Sequence, residues 1–159
     1  MSLHLVIAVL IAFVVFGLGG WMTKIGPWYE NLNMPRWQPP RWLFAPAWTI
    51  ILGLAAWSGA LAWTQAVERP DQLRIVGLFG ANIAFQLLWS PLFFRMKRPD
   101  WALIEIVFLW LSIVALMIGL FPLSSAALWL LVPYLAWVTF AWFLNLKIVQ
   151  LNRPFGRVS

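Results

Sequence analysis

Five stretches of this chain, residues 3–21, 44–66, 75–94, 101–121 and 126–149, are each long and apolar enough to cross a bilayer. A spanning helix needs about 20 mostly apolar residues. Inside lipid every backbone N–H and C=O must be paired within the protein, so only helices and closed barrels cross. A barrel would show strands of about ten residues with alternating polarity. These runs are unbroken, so they predict helices. Charged residues make up 10% of the chain, against about 25% in soluble domains. Lipid, not water, is therefore the expected solvent for most of its surface. The expected fold is an all-α integral membrane bundle of five transmembrane helices, one domain covering residues 1–159. The opening MSLH has no Lys or Arg and no small-x-small cleavage site follows, so the first span reads as a retained helix.

The charge distribution sets an expected orientation. Five spans place the termini on opposite sides. One side receives Lys24, Arg36, Arg41, Arg95, Lys97, Arg98, Lys147, Arg153 and Arg157; the other receives Arg69 and Arg74. Nine against two is a positive-inside signal, with the N-terminus out and the C-terminus in the cytoplasm. The same distribution argues against nucleic acid as a partner, because the basic residues sit in short loops between spans. The lone histidine, His4, and the absence of cysteine remove thiolate sites and imidazole-held zinc or haem. No metal and no resident cofactor are expected.

Between the first two spans lies loop 24–43, rich in Trp and Pro. Proline fixes φ and pushes the preceding residue out of the α region. Pro39-Pro40 therefore predicts a stiff, extended segment. Trp28, Tyr29, Trp37 and Trp42 give it large apolar area. Such a segment can cap a pocket, and the loop is expected to act as a lid.

The spans carry few polar groups. On a 3.6-residue period Asn82, Gln86 and Ser90 share one face of the third span, expected to point into the bundle. They read either as interhelical hydrogen-bonding groups or as ligand contacts. The opposite face carries Gly77, Gly80, Ala81 and Ala84, suited to packing against another helix or a second subunit. Gly17, Gly19 and Gly20 of the first span read as a helix contact or a fray in preference to a ligand role. Glu105 reads as an interfacial partner of Arg95, Lys97 and Arg98, and no second carboxylate lies in any span to support paired acid–base catalysis. In the fifth span Pro133 is expected to kink or loosen the helix. Pro133, Trp137, Ala141 and Asn145 share a face that suits a flat apolar molecule. Pro46 is placed in the first turn of the second span, with Trp48 emerging from the lid as a candidate pocket wall.

The run WYENLNMPRWQPPRWLFAPAWT, with LLWSPLFF on the third span and VPYLAW and FAWFLN on the fifth, resembles the TspO/MBR family of tryptophan-rich sensory and translocator proteins. The resemblance covers about residues 28–145. It implies a five-helix bundle, usually a homodimer, whose first loop closes over a cavity for porphyrins such as protoporphyrin IX and for flat hydrophobic drugs. It implies Tyr29, Trp37, Trp42 and Phe44 at the loop and cavity rim. It implies Trp48 and Trp137 as cavity tryptophans linked to light-dependent porphyrin breakdown, the only residues with a catalytic expectation. Ala141, Leu144 and Asn145 match the family's A-x-x-L-N element. The chain departs from the pattern in the order Asn82 then Gln86, in Leu52 where a tyrosine is frequent, and in lacking the tyrosine of the animal sterol motif.

Three functions follow as expectations. The leading one is a membrane receptor or binding protein for porphyrins and similar flat ligands, with a transport, sensing or scavenging role. There Asn82 and Gln86 offer hydrogen bonds, and Arg36 and Arg41 pair with propionates. The second is photo-oxidative porphyrin degradation using the cavity tryptophans. The third is a dimeric membrane scaffold. The charge bias favours an inner, cytoplasmic membrane, whereas the family analogy extends to an outer membrane.

Overall fold

The computed structural model describes residues 2–23 and 25–155. Its elements are α1 (Leu3–Met22), α2 (Pro27–Glu30), α3 (Arg41–Gln65), α4 (Arg69–Ser90), a π-helical turn (Pro91–Arg95), α5 (Pro99–Leu120) and α6 (Ser125–Asn152). The described residues contain no strand. Five helical segments are long and apolar enough to cross a membrane: Leu3–Met22, Arg41–Gln65, Arg69–Arg95, Pro99–Leu120 and Ser125–Asn152. The five-helix membrane bundle expected from the sequence is thus the architecture found.

Two helices start earlier than hydropathy suggests. Pro40 is extended (φ −62°, ψ 147°) and α3 begins directly after it, at Arg41 rather than residue 44. Pro46 therefore lies inside the helix, beyond the first turn where it was expected. α4 begins at Arg69 rather than residue 75; Pro70 and Asp71 occupy its first turn. Proline is preorganised there and an acid there complements the helix dipole. Arg74 donates to Asp71 at 2.9 Å, closing that polar turn. α6 stays one continuous helix through Pro133. Ser124 starts it, its hydroxyl accepting from the Ala127 N–H at 3.2 Å.

Around the bundle α1 packs on α3, α3 on α6, α6 on α5 and α5 on α4, with lighter contacts from α4 back to α1 and α3. The centre is the α5–α6 seam, where Ile113, Leu116, Leu120, Ala127, Leu131 and Val138 are almost fully buried. Between helices in lipid the driving forces are dispersion and hydrogen bonds rather than water exclusion. Small residues make the close approaches. Ala55, Ala56, Ser58, Ala60 and Ala62 are buried along α3, and the Ser58 hydroxyl donates to the Ala127 carbonyl at 2.6 Å. At Gly119 an added Cβ would run into the end of the Leu78 side chain, where α4 packs on α5.

The lid is tied to one end of the bundle. Trp28 packs edge-on against Phe93 at 6.0 Å and Tyr29 sits 5.3 Å from Phe94. The Asn33 N–H donates to Asn152 Oδ1 at 2.7 Å, and Asn152 Nδ2 donates to the Asn33 carbonyl at 2.8 Å. Arg95 donates to the Trp21 carbonyl at 3.4 Å. The lid, the 96–98 loop and the end of α6 thus share one side, as the charge count requires. Lys24 and Arg157 of that count lie outside the described residues.

Two expectations are corrected. Gly17, Gly19 and Gly20 are neither a close helix contact nor a fray: a Cβ added at any of them meets nothing within 4 Å, and α1 continues to Met22. Glu105 does not pair with Arg95, Lys97 or Arg98. It is buried, and neither carboxylate oxygen has a hydrogen-bond partner among the described residues. α5 starts at Pro99, which puts Glu105 about 9 Å along the helix at 1.5 Å per residue. The nearer Asp100 takes Arg98 in a two-pronged pair at 2.9 and 2.6 Å.

Candidate functional site

A cavity of about 430 Å³ opens beneath the lid and draws lining residues from every long helix. That volume falls within the usual range of ligand pockets, about 300–1,000 Å³. α1 contributes Phe16, Gly19 and Gly20, with Thr23 just past its end; α3 contributes Phe44, Trp48 and Leu52. Gln86, Trp89 and Ser90 come from α4, Ile106 and Leu109 from α5, and Trp137, Ala141, Leu144 and Asn145 from α6. Tyr29, Gln38 and Arg41 line it from the lid side. Among the described residues Arg41 is the only charged side chain in this lining.

The aromatic rings form a corner. Trp48 and Trp137 lie 6.3 Å apart at 84°, and Phe44 meets Trp137 at 5.7 Å and 73°. Edge-to-face pairing of this kind is favoured by the ring quadrupoles and is worth about 0.5–1.5 kcal/mol per pair beyond area burial. It leaves ring faces available to a planar ligand. Trp48 is positioned by the first turns of α3 as the chain leaves Pro40. Trp137, Ala141 and Asn145 recur every four residues and so share one face of α6.

The polar groups divide into two sets. Asn145 is engaged at both ends of its amide: it accepts the Trp89 indole N–H at 3.0 Å and donates to the Pro99 carbonyl at 2.9 Å. This holds Trp89 in the cavity wall and ties α4, α5 and α6 together. Deeper in, the Ser112 hydroxyl donates to the Leu109 carbonyl at 2.6 Å, and Asn82 Nδ2 donates to Ser112 Oγ at 3.0 Å. The Tyr134 hydroxyl lies 3.3 Å from Asn82 Oδ1 and 3.2 Å from Gln86 Oε1. At the mouth, Arg41 is 3.6 Å from Glu30 and stands over the Tyr29 ring at 5.3 Å, while Gln38 Nε2 donates to the Tyr29 hydroxyl at 3.2 Å.

Of the residues singled out from the sequence, Tyr29, Phe44, Trp48, Gln86, Trp137, Ala141, Leu144 and Asn145 come together in the lining. Three lie elsewhere. Asn82 is 4% exposed and occupied with Ser112 and Tyr134. Trp37 packs edge-on against Phe140 at 5.7 Å outside the lining, and Trp42 is 71% exposed. Pro133, on the predicted α6 face, is exposed. Sequence reasoning missed Tyr134 and set a ligand role for the α1 glycines second to a helix contact or fray, whereas Gly19 and Gly20 line the cavity. A tyrosine in mid-span must find a partner for its hydroxyl, and that was the available signal for Tyr134. The glycines were the signal for α1, since small residues also leave room for a ligand. Among the described residues no group of three His, Cys, Asp or Glu side chains gathers as a metal site would require.

Comparison with known proteins agrees with this arrangement. Residues 6–151 match the TspO/MBR family. The chain is similar to a tryptophan-rich sensory protein of Cereibacter sphaeroides, 39% identical over 87% of this chain and 86% of the relative. It is 40% identical to a tryptophan-rich protein TspO of Chlorobaculum tepidum over 79% of each. A translocator protein of Bos taurus is 32% identical over 79% of this chain and 75% of its own length.

Proposed function

The chain belongs to the TspO/MBR family, and on that premise we propose that its cavity is a receptor site for porphyrins and similar flat hydrophobic molecules. It is an integral, multi-pass membrane protein, and its family membership supports a membrane sensory or translocator role. The observation that carries the finer reading is the Trp48–Trp137–Phe44 corner inside a cavity roofed by the lid. A planar ring lies against the indoles, and Arg41 exchanges its long contact with Glu30 for a ligand carboxylate at the mouth. The positive-inside bias puts the lid and C-terminus on the cytoplasmic side. Saturable quenching of tryptophan fluorescence by protoporphyrin IX tests the reading. Trp48→Phe and Trp137→Phe each weaken affinity about two- to tenfold, the worth of one aromatic contact. Unchanged affinity in both removes the assigned pocket.

The same corner carries a second reading, light-driven oxidation of a bound porphyrin by oxygen with an indole as electron donor. Illumination of the complex in oxygen gives a product that lipid and free porphyrin do not, and Trp48→Phe or Trp137→Phe removes it. A homodimer is the proposed assembly. Gly77, Gly80, Ala81 and Ala84 are all exposed on the single chain. The protein has no native cysteine, so Ala81→Cys alone should give disulfide-linked dimers in membranes; exclusively monomeric product argues against that face.

A further inference from the structure

We propose that Gln86 turns its amide oxygen toward the cavity, so that the site selects flat apolar ligands bearing an N–H or O–H donor. This rests on the reading of the cavity as a site for flat ligands and names the group that chooses among them.

The argument is a proton count along the buried chain Leu109–Ser112–Asn82–Tyr134–Gln86. A backbone carbonyl can only accept. Ser112 Oγ lies 2.6 Å from the Leu109 carbonyl, so the single serine proton goes there. Ser112 Oγ must then accept its remaining bond, and Asn82 Nδ2 supplies it at 3.0 Å. That fixes the Asn82 amide: its nitrogen faces Ser112 and Oδ1 faces Tyr134. Turning Asn82 over would require Ser112 to donate to Asn82 instead, leaving two oxygens 2.6 Å apart with no proton between them.

Tyr134 has one proton and stands 3.3 Å from Asn82 Oδ1 and 3.2 Å from Gln86. It cannot donate to two oxygens at once. Asn82 is 4% exposed and Tyr134 1%, so an unpaired acceptor at Asn82 would carry the full cost of a buried, unsatisfied group. The tyrosine proton therefore goes to Asn82 Oδ1. Tyr134 Oη becomes an acceptor, and the group beside it must be the Gln86 NH₂. The two ends of a carboxamide have nearly the same shape, and the hydrogen-bond network decides which faces which. Of the two amides in this hydrogen-bonded series, Asn82 and Gln86, Gln86 is the one that also lines the cavity. With its nitrogen held by Tyr134, Oε1 is the end left for a ligand. The direction of the series is set at Leu109, three helices' worth of hydrogen bonds away, and is read out as an acceptor in a mostly apolar wall.

The test uses two tricycles of nearly the same shape: carbazole, with a ring N–H, and dibenzofuran, with an oxygen in its place. Binding is measured by calorimetry on the full-length protein in detergent micelles, with empty micelles as reference. The ratio of the two affinities in wild type exceeds that in Gln86→Met by about three- to tenfold, the worth of one net hydrogen bond. Tyr134→Phe keeps the ring and removes the hydroxyl that holds Gln86, so it lowers the ratio. An unchanged ratio in both variants, with saturable protoporphyrin IX binding intact, overturns the Gln86 assignment alone. Failure of protoporphyrin IX and both tricycles to saturate overturns the cavity reading beneath it.

Discussion

α5 and α1 both line the cavity, yet α5 buries nine of its residues and α1 buries only Val15. The α4–α5–α6 side is cross-linked by Asn145, which joins Trp89 to Pro99, and by the Ser112–Asn82–Tyr134 chain. The α1 side is held to the end of α4 and the π-helical turn by a long Thr23–Ser90 contact of 3.4 Å and an Arg95–Trp21 carbonyl bond of the same length. The lid adds its Asn33–Asn152 clamp and its aromatic contacts with Phe93 and Phe94. Low burial and few hydrogen bonds mark segments that open at small free-energy cost. The difference teaches that one wall is a fixed template and the other, with the lid, is where a ligand enters and leaves.

The largest expected effect contrasts two leucines. Leu131→Ala empties a fully buried position on the α5–α6 seam and should cost about 2–4 kcal/mol. Leu10→Ala, at a 58% exposed position on α1, should change stability by no more than about 0.5 kcal/mol. Unfolding in mixed micelles measures both, and equal losses would erase the distinction between the walls.

A second contrast lies within the fixed wall. Asn145→Leu leaves the Trp89 indole N–H and the Pro99 carbonyl without partners and should cost about 2–3 kcal/mol. Glu105→Leu removes a buried acid that has no hydrogen-bond partner among the described residues, so it should be neutral or stabilising by about 1 kcal/mol. A loss at Glu105 as large as that at Asn145 would mean that Glu105 is engaged.

The smallest effect on stability falls on the lid. Asn152→Ala removes both hydrogen bonds to Asn33 at an exposed site. It should cost under about 1 kcal/mol in stability yet speed protoporphyrin release about three- to tenfold, as expected when about 1 kcal/mol of closure is lost. Stopped-flow recovery of tryptophan fluorescence reads the rate. An unchanged rate would place the exit elsewhere.

The spans were legible because length and hydropathy are local properties. Their ends were less so, since Arg41-Trp42 and the Arg69-Pro-Asp-Gln turn are helical but too polar for a hydropathy window. The α6 side of the cavity could be read from the four-residue spacing of Trp137, Ala141 and Asn145. Trp42 could not, because which face of the first α3 turn meets the lid depends on where the helix begins. Asn82 and Gln86 have the same spacing and similar chemistry, yet one is spent on Ser112 and Tyr134 and the other lines the cavity. That outcome is set by depth and by residues on other helices. Glu105 was misread because its nearest basic residue in sequence, Arg98, found Asp100 first.

Hydrogen exchange across the whole protein in lipid nanodiscs, with and without saturating protoporphyrin IX, bears most directly on a flat ligand held between a fixed wall and a yielding one. The account predicts slower exchange in residues 16–22 of α1 and 25–40 of the lid, with residues 106–120 of α5 unchanged. Slowing confined to α5, or no change anywhere once the ligand is bound, would contradict it.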